Sequence, residues 1–313
     1  MRIGVVSQPQ GILAWMKNSL AIVGPGRVGR AFGRRLKEAG WKITVIAGRS
    51  LSSAKRGARF IGDGRPAEGV PATLASASTI LLTVPDDALS TVAFELARNA
   101  GDDLQGKIVL QTSGALDAGV LAPLHDFGAA VGSMHPLQTF SGVGAPPLEG
   151  KLFAIEGDPP AVQAARKIAR TLGGVPVRIA AAKKPLYHAA GIFAAGLSLG
   201  MEEAGVRLLM AAGLKRREAQ RALLALTAQV QENYAKLGPQ KAWTGPLARG
   251  DFDVVATHEI ALGEFSVEYL DAYRAVSRLS ARVLSRNPEA ILARLDEISG
   301  NMSLSGKTKG GYE

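Results

Sequence analysis

The stretch Leu20-Ala21-Ile22-Val23-Gly24-Pro25-Gly26-Arg27-Val28-Gly29 decides how the N-terminal half of the chain folds. A compact apolar run that leads into glycine reads as a buried strand. The Arg-rich stretch that follows has helical periodicity as far as Ala39; Gly40 ends it, and a second apolar run, Ile43 to Ala47, comes next. Gly24, Gly26 and Gly29 therefore place the spacing G-x-G-x-x-G between a strand and a helix, where it has a physical meaning. The first glycine permits a tight turn, the second lets the backbone approach a pyrophosphate, and the third lets helix and strand pack closely. Amides at the helix start, from Arg27 and Val28 onward, then face the phosphates with the helix dipole behind them.

The end of the second strand narrows the ligand. A site for NAD carries an acidic residue there to bind the ribose hydroxyls. This strand ends in Ala47-Gly48-Arg49-Ser50, and no carboxylate follows until Asp63. Arg49 can pair with a 2′-phosphate and Ser50 can donate to it, so NADP(H) is the expected cofactor. The alternative for Arg49 is a solvated loop arginine.

Outward from this unit, short apolar runs recur at Arg59 to Ile61, Ile80 to Val84, Ile108 to Leu110, Ala129 to Gly132, Leu152 to Ile155 and Val177 to Ala180. Helical stretches such as Ser90 to Asn99 and Ala161 to Leu172 lie between them, and such alternation predicts a parallel sheet covered by helices. Val84-Pro85-Asp86 and Thr112-Ser113 then fall in loops at the carboxyl ends of strands, the rim across which ligands lie. Asp86 or Asp87 can alternatively cap the helix that follows. From Lys184 onward the texture is helical, with helices expected over Leu186 to Ala212, Arg216 to Lys236, Val255 to Leu262, Val267 to Ser285 and Pro288 to Ile298. The expected fold is an α/β Rossmann-like parallel sheet (19–182) followed by an all-α C-terminal domain (183–299), with an extension (1–18) and a tail (300–313) expected to be disordered.

Composition excludes several chemistries. The 313 residues contain no cysteine, which removes disulfides, thiolate nucleophiles and Cys-ligated metal sites. The longest uncharged apolar run, after His188 to Met201, falls short of the roughly 20 residues of a spanning helix. The net charge of +10 is spread through helices with few aromatics among them, so it reads as a surface that attracts anionic ligands rather than nucleic acid. A cytoplasmic protein acting on a small molecule, without nucleic-acid or membrane partners, is the expectation.

Four histidines bound the acid–base chemistry: His125, His135, His188 and His258, with no pair at a metal-ligating helical spacing. No metal is expected. Hydride transfer to a carbonyl or imine needs a proton donor, and histidine suits that role near neutral pH. His188 opens a helix of small residues just after the expected domain junction, with Lys184 and Tyr187 beside it, and these three are the catalytic candidates. His135, Thr244, Arg249 and His258 are substrate-binding candidates, with Arg249 suited to a carboxylate or, alternatively, to a salt bridge with Asp251. For any one of the histidines a structural hydrogen bond is the competing role.

Taken together, GPGRVG, TVPDDAL, TSG, SMHPLQTF, KPLYHAAGIFAAG and TGPLARGD with its later histidine resemble bacterial proteins in which a Rossmann-like NADP-binding domain precedes a helical domain of unknown function, number 2520. That group is similar to pyrroline-5-carboxylate reductases, deazaflavin-dependent NADP oxidoreductases and 3-hydroxyacid dehydrogenases of the 6-phosphogluconate dehydrogenase type. The resemblance covers about residues 19 to 290. It implies an NADP-dependent oxidoreductase acting on CH-OH or CH-NH donors, with Gly24, Gly26, Gly29, Arg49 and Ser50 at the cofactor and Tyr187, His188, Thr244, Gly245, Pro246, Arg249, Asp251 and His258 in a cleft. By analogy it also implies a homodimer. Gly196 stands where the group usually carries asparagine, and Val254 where threonine is usual; the first leaves open a nucleotide-binding sensor without turnover.

Overall fold

The computed structural model describes residues 18–307. Contacts divide the chain into two compact units that meet in sequence at Ala195 and Gly196, so the unit carrying the sheet also takes in Lys184, Tyr187 and His188. Of the expected extension only Asn18 is described, and residues 308–313 lie outside the described residues.

The first unit opens with strand β1 (Ser19–Val23), helix α1 (Arg27–Glu38), β2 (Lys42–Gly48), α2 (Leu51–Ile61), β3 (Arg65–Glu68) and β4 (Thr79–Leu82). It continues through α3 (Leu89–Ala100), β5 (Ile108–Gln111), β6 (Ala130–Pro136), β7 (Leu152–Gly157), α4 (Pro159–Thr171), β8 (Val175–Arg178) and α5 (Lys184–Ile192). The strands form one eight-stranded sheet in the order β3-β2-β1-β4-β5-β6-β7-β8, parallel except where β6 meets β7. The order reverses between β1 and β4, and the glycine turn leaves β1 at that switch point, where ligands of such sheets bind. Successive side chains point to opposite faces. Ala21 and Val23 join one apolar cluster and Leu20 and Ile22 the other, and all four are buried. A strand covered on both faces must be apolar throughout, which is why this run is unbroken.

Two of the expected strands are corrected. Arg59 to Ile61 is no strand but the last turn of α2, with Ile61 buried as part of that helix's apolar face. The strand in its place, β3, is a polar edge with Pro66 inside it, tolerated because an edge strand needs no complete ladder. The strand expected over Ala129 to Gly132 runs on to Pro136, which puts His135 on β6 itself.

The second unit is helical among its described residues: α6 (Ser198–Ala211), α7 (Arg216–Leu237), α8 (Phe252–Phe265), α9 (Val267–Leu284) and α10 (Pro288–Lys307), with single turns at Pro239–Ala242 and Pro246–Arg249. The expected single helix Leu186 to Ala212 is interrupted by a π turn, Phe193–Leu197, that contains Gly196. Helix α10 also continues past Gly300, where a disordered tail was expected. Few apolar side chains of this unit are buried, among them Val206, Val255, Leu270 and Leu295, whereas Leu199, Leu226, Val267 and Val283 are exposed.

Candidate functional site

The glycine turn has the sterics that its spacing requires. Gly24 adopts a left-handed φ of 92° that side chains avoid. A Cβ on Gly29 would stand 2.4 Å from the Gly24 carbonyl and 2.4 Å from Thr83 Oγ1, so helix and turn meet only because this residue has none. At Gly26 the opposite holds, since an added Cβ would meet nothing within 4 Å. That open space stands before the first turn of α1, where no side chain caps the amides and no acidic residue lies. Uncapped amides, a favourable dipole and room above the backbone fit a diphosphate.

Along the same sheet rim, Ser50 caps α2 by accepting from Ser53 N at 3.3 Å, and its hydroxyl is 3.1 Å from that of Ser52. Arg49 is exposed and makes no hydrogen bond or ion pair among the described residues. The carboxylate that comes next in sequence, Asp63, is held at the other end of β2, where it accepts from Lys42 Nζ at 2.9 Å and Ile43 N at 3.0 Å. The chain order hides another acid: Glu68, at the end of β3, pairs in register with Gly48 and is exposed.

Beyond β4, Val84 packs on the apolar cluster and Pro85 leads into Asp86. Asp86 does not cap the following helix. Its carboxylate accepts from Ser113 Oγ at 2.8 Å, and the same hydroxyl accepts from the amides of Ala115 and Leu116. Thr112 Oγ1 is turned back to Leu82 O. Ser113 thus organises the loop after β5, with both capacities of its hydroxyl already used.

That loop brings the next residue, Gly114, under two imidazoles. A Cβ there would lie 2.6 Å from His188 Cδ2 and 2.9 Å from His135 Nε2, so only glycine allows the two rings to sit where they do. Their centroids are 5.9 Å apart and their planes perpendicular. His135 Nδ1 lies 2.9 Å from Tyr187 Oη, a hydrogen bond between side chains 52 positions apart in sequence. Burial, reinforced by the charges of Lys184 and His188, pushes the His135 imidazole down to about 4, and burial pushes the Tyr187 hydroxyl up to about 12. Both are therefore neutral at pH 7. His188 itself makes no hydrogen bond or ion pair among the described residues.

Lys184 does not join this cluster as a free amine. It is 1% exposed, and its ammonium donates to Ser113 O at 2.9 Å and to Ser133 Oγ, with Glu156 Oε1 at 3.9 Å. Burial lowers its affinity for a proton, against the pull of Glu156, and burial likewise raises Glu156. A lysine satisfied in this way fastens α5 to β6 and to the loop after β5. Its ammonium is engaged within the fold rather than free.

The remaining candidates lie in the second unit. Arg249 is engaged locally: its guanidinium pairs with Asp251 at 2.7 Å and donates to Thr244 O at 2.7 Å, the salt-bridge alternative rather than an open carboxylate clamp. His258 Nδ1 is 3.0 Å from Tyr273 Oη. Among the described residues no group of three His, Cys, Asp or Glu is placed to hold a metal ion, and no helix is long and apolar enough to cross a membrane.

Residues 8–136 match the family model of the Rossmann-like domain, and residues 151–280 match that of the domain of unknown function DUF2520. Among solved structures, a Bacteroides fragilis protein described as a candidate NADP oxidoreductase superposes with a TM-score of 0.69 at 19% identity, over 85% of this chain and 98% of its own. A Thermotoga maritima protein gives 0.64 at 26% identity over 84% and 97%. The reductive aminase of Aspergillus terreus, in complex with NADPH and ethyl-5-oxohexanoate, gives 0.56 at 18% identity over 95% and 96%. No sequence of a curated protein matches the chain significantly. The chain thus matches a Rossmann-like domain and then a DUF2520 domain, the order in which its motifs suggest that pairing.

Proposed function

We propose that the protein is an NADP(H)-dependent oxidoreductase that reduces a small carbonyl or imine compound, with His188 as the proton donor. The observation that carries this reading is a single sheet rim with an uncapped, sterically open glycine turn near one end and two imidazoles over Gly114 further along it. When bound, the dinucleotide supplies a hydride. The first-turn amides of α1 hold its diphosphate and Arg49 its 2′-phosphate. His188 gives a proton to the oxygen or nitrogen of the reduced substrate, because its ring is unpaired and partly exposed. His135 is the weaker candidate, since its ring is kept neutral and its Nδ1 is bonded to Tyr187. Tyr187, retaining its proton, holds that ring in place.

Arg249, suited by sequence to a substrate carboxylate, is committed to Asp251, and the other nearby candidate cation, Lys184, to Ser113 and Ser133. We therefore define the substrate by its reducible C=O or C=N group. The Aspergillus structure, with NADPH and an oxo ester, supports the same class. Arg49 gives a direct check on the cofactor. Arg49→Asp should weaken NADPH binding about tenfold or more, the loss of a charge-assisted pair, and leave NADH binding within about twofold. Equal losses for the two, read by fluorescence titration, would refute the 2′-phosphate role and leave Glu68 as the residue that selects the ribose.

The second unit leaves Leu199, Leu226, Val267 and Val283 at least half exposed, more apolar surface than a free helical unit tolerates. We propose that a second copy covers it. Light scattering should give a mass near twice 32.6 kDa, and a monomer at micromolar concentration would overturn the dimer.

A further inference from the structure

We propose that Gly142, in the long loop between β6 and β7, is a positioning residue for the cofactor: its bare backbone forms a shelf that aims the Arg27 side chain at the diphosphate. The inference rests on the nucleotide reading of the glycine turn and adds to it a residue 115 positions away in sequence.

The loop is anchored along its length. Phe140 packs on the apolar cluster beneath α1, and Leu148 is 1% exposed within it. Between them, Arg35 Nη2 donates to Ala145 O at 2.8 Å, which ties the loop to the far end of α1. Gln138 Nε2 donates to Pro147 O at 3.1 Å and closes the loop across its base. Such compact loops with packed ends are often functional. The tip falls at the near end of α1. Gly142 has φ 91°, and a Cβ there would stand 3.2 Å from Arg27 Nε, 3.3 Å from its Cγ and 3.4 Å from its Cδ. The stem of Arg27 therefore lies along the glycine backbone.

Arg27 is the first residue of α1, directly after the open position of Gly26. It is exposed and makes no hydrogen bond or ion pair among the described residues. A guanidinium on a free, rotamer-rich side chain loses much of its binding energy to being ordered; one already laid against a shelf loses less. That is what the loop contributes: a preorganised cation beside uncapped amides, at the place where a diphosphate would rest.

Gly144 supplies the control. It has a similar left-handed φ of 70° in the same loop, yet a Cβ there would meet nothing within 4 Å. Gly142→Ala and Gly144→Ala both place a side chain at a left-handed φ, whose strain the melts report, but only the first pushes on Arg27. The experiment titrates NADPH into wild type, Gly142→Ala, Gly144→Ala, Arg27→Ala and the Arg27→Ala/Gly142→Ala double variant at low and high salt, with thermal melts of each. Gly142→Ala should raise the Kd about tenfold at low salt, the loss of one charge-assisted bond, and less at high salt, where such a bond is screened. Gly144→Ala should stay within about twofold. In the Arg27→Ala background the Gly142 substitution should add almost nothing, as expected of two residues acting through one interaction.

Equal effects of the two glycine substitutions, or a full Gly142 effect without Arg27, would overturn the shelf while leaving the nucleotide reading intact. A folded wild type that binds no NADPH would overturn both.

Discussion

Gly26→Ala is expected to lose most NADPH affinity while melting like the wild type, and Gly29→Ala to lose stability first. The two glycines are three residues apart in one turn, and a single methyl group at each meets opposite surroundings. At Gly26 it enters space that no protein atom approaches within 4 Å, so folding is indifferent to it. That space is the approach to the uncapped amides of α1, and a methyl there holds a diphosphate away from them. A Kd increase of about a hundredfold, or about 2.7 kcal/mol, is the expected result. At Gly29 the methyl would lie 2.4 Å from two oxygens, one of them main-chain, and relief requires α1 to move off β1. Overpacking of this kind costs about 1–3 kcal/mol and should lower Tm by several degrees. Gly26→Ala binding NADPH as the wild type does would remove the nucleotide from this turn.

The second large effect belongs to the histidine pair. His188→Ala should lower kcat about a hundredfold or more, the usual worth of a positioned proton donor, with NADPH affinity unchanged. Gly114→Ala should do much the same without deleting a functional group, because its methyl would displace His188 and His135 together. His135→Ala should cost less and act through the placement of Tyr187, to which it is bonded. A kcat unaffected by His188→Ala, once a substrate is in hand, would reassign the proton to another group.

The sequence made the first β-α-β unit legible because local and global requirements coincide there. The run from Leu20 to Val23 is apolar since both faces of β1 are covered, and the glycines that follow each answer a local steric demand. Where the two requirements part, the reading failed. Arg65 to Glu68, a polar run with no strand pattern, pairs with β2 as an edge, while the apolar Ile61 belongs to a helix. The burial of Lys184 has no local signal, because lysine is almost never fully buried without partners, and its partners Ser113, Ser133 and Glu156 are 28 to 71 residues away. Gly114 carried only the pattern of a turn, although its missing side chain is what admits both imidazoles. For Asp86 the capping alternative gives way to a bond with Ser113, 27 residues on, which no local pattern shows. The glycine φ of Gly142 could be suspected from the Ser141-Gly142-Val143-Gly144 run, but its neighbour Arg27 could not.

Gly196 lies in the π turn after α5, at the position where the resemblance implies asparagine, and so keeps the sensor alternative in view. One measurement separates the readings: oxidation of NADPH by the purified protein, followed at 340 nm, with a panel of 2-keto acids, semialdehydes, ketones with added amine, and cyclic imines. Substrate-dependent oxidation with at least one class, lost in His188→Ala, is the expected result. Tight NADPH binding with no oxidation above background for any of them would contradict it.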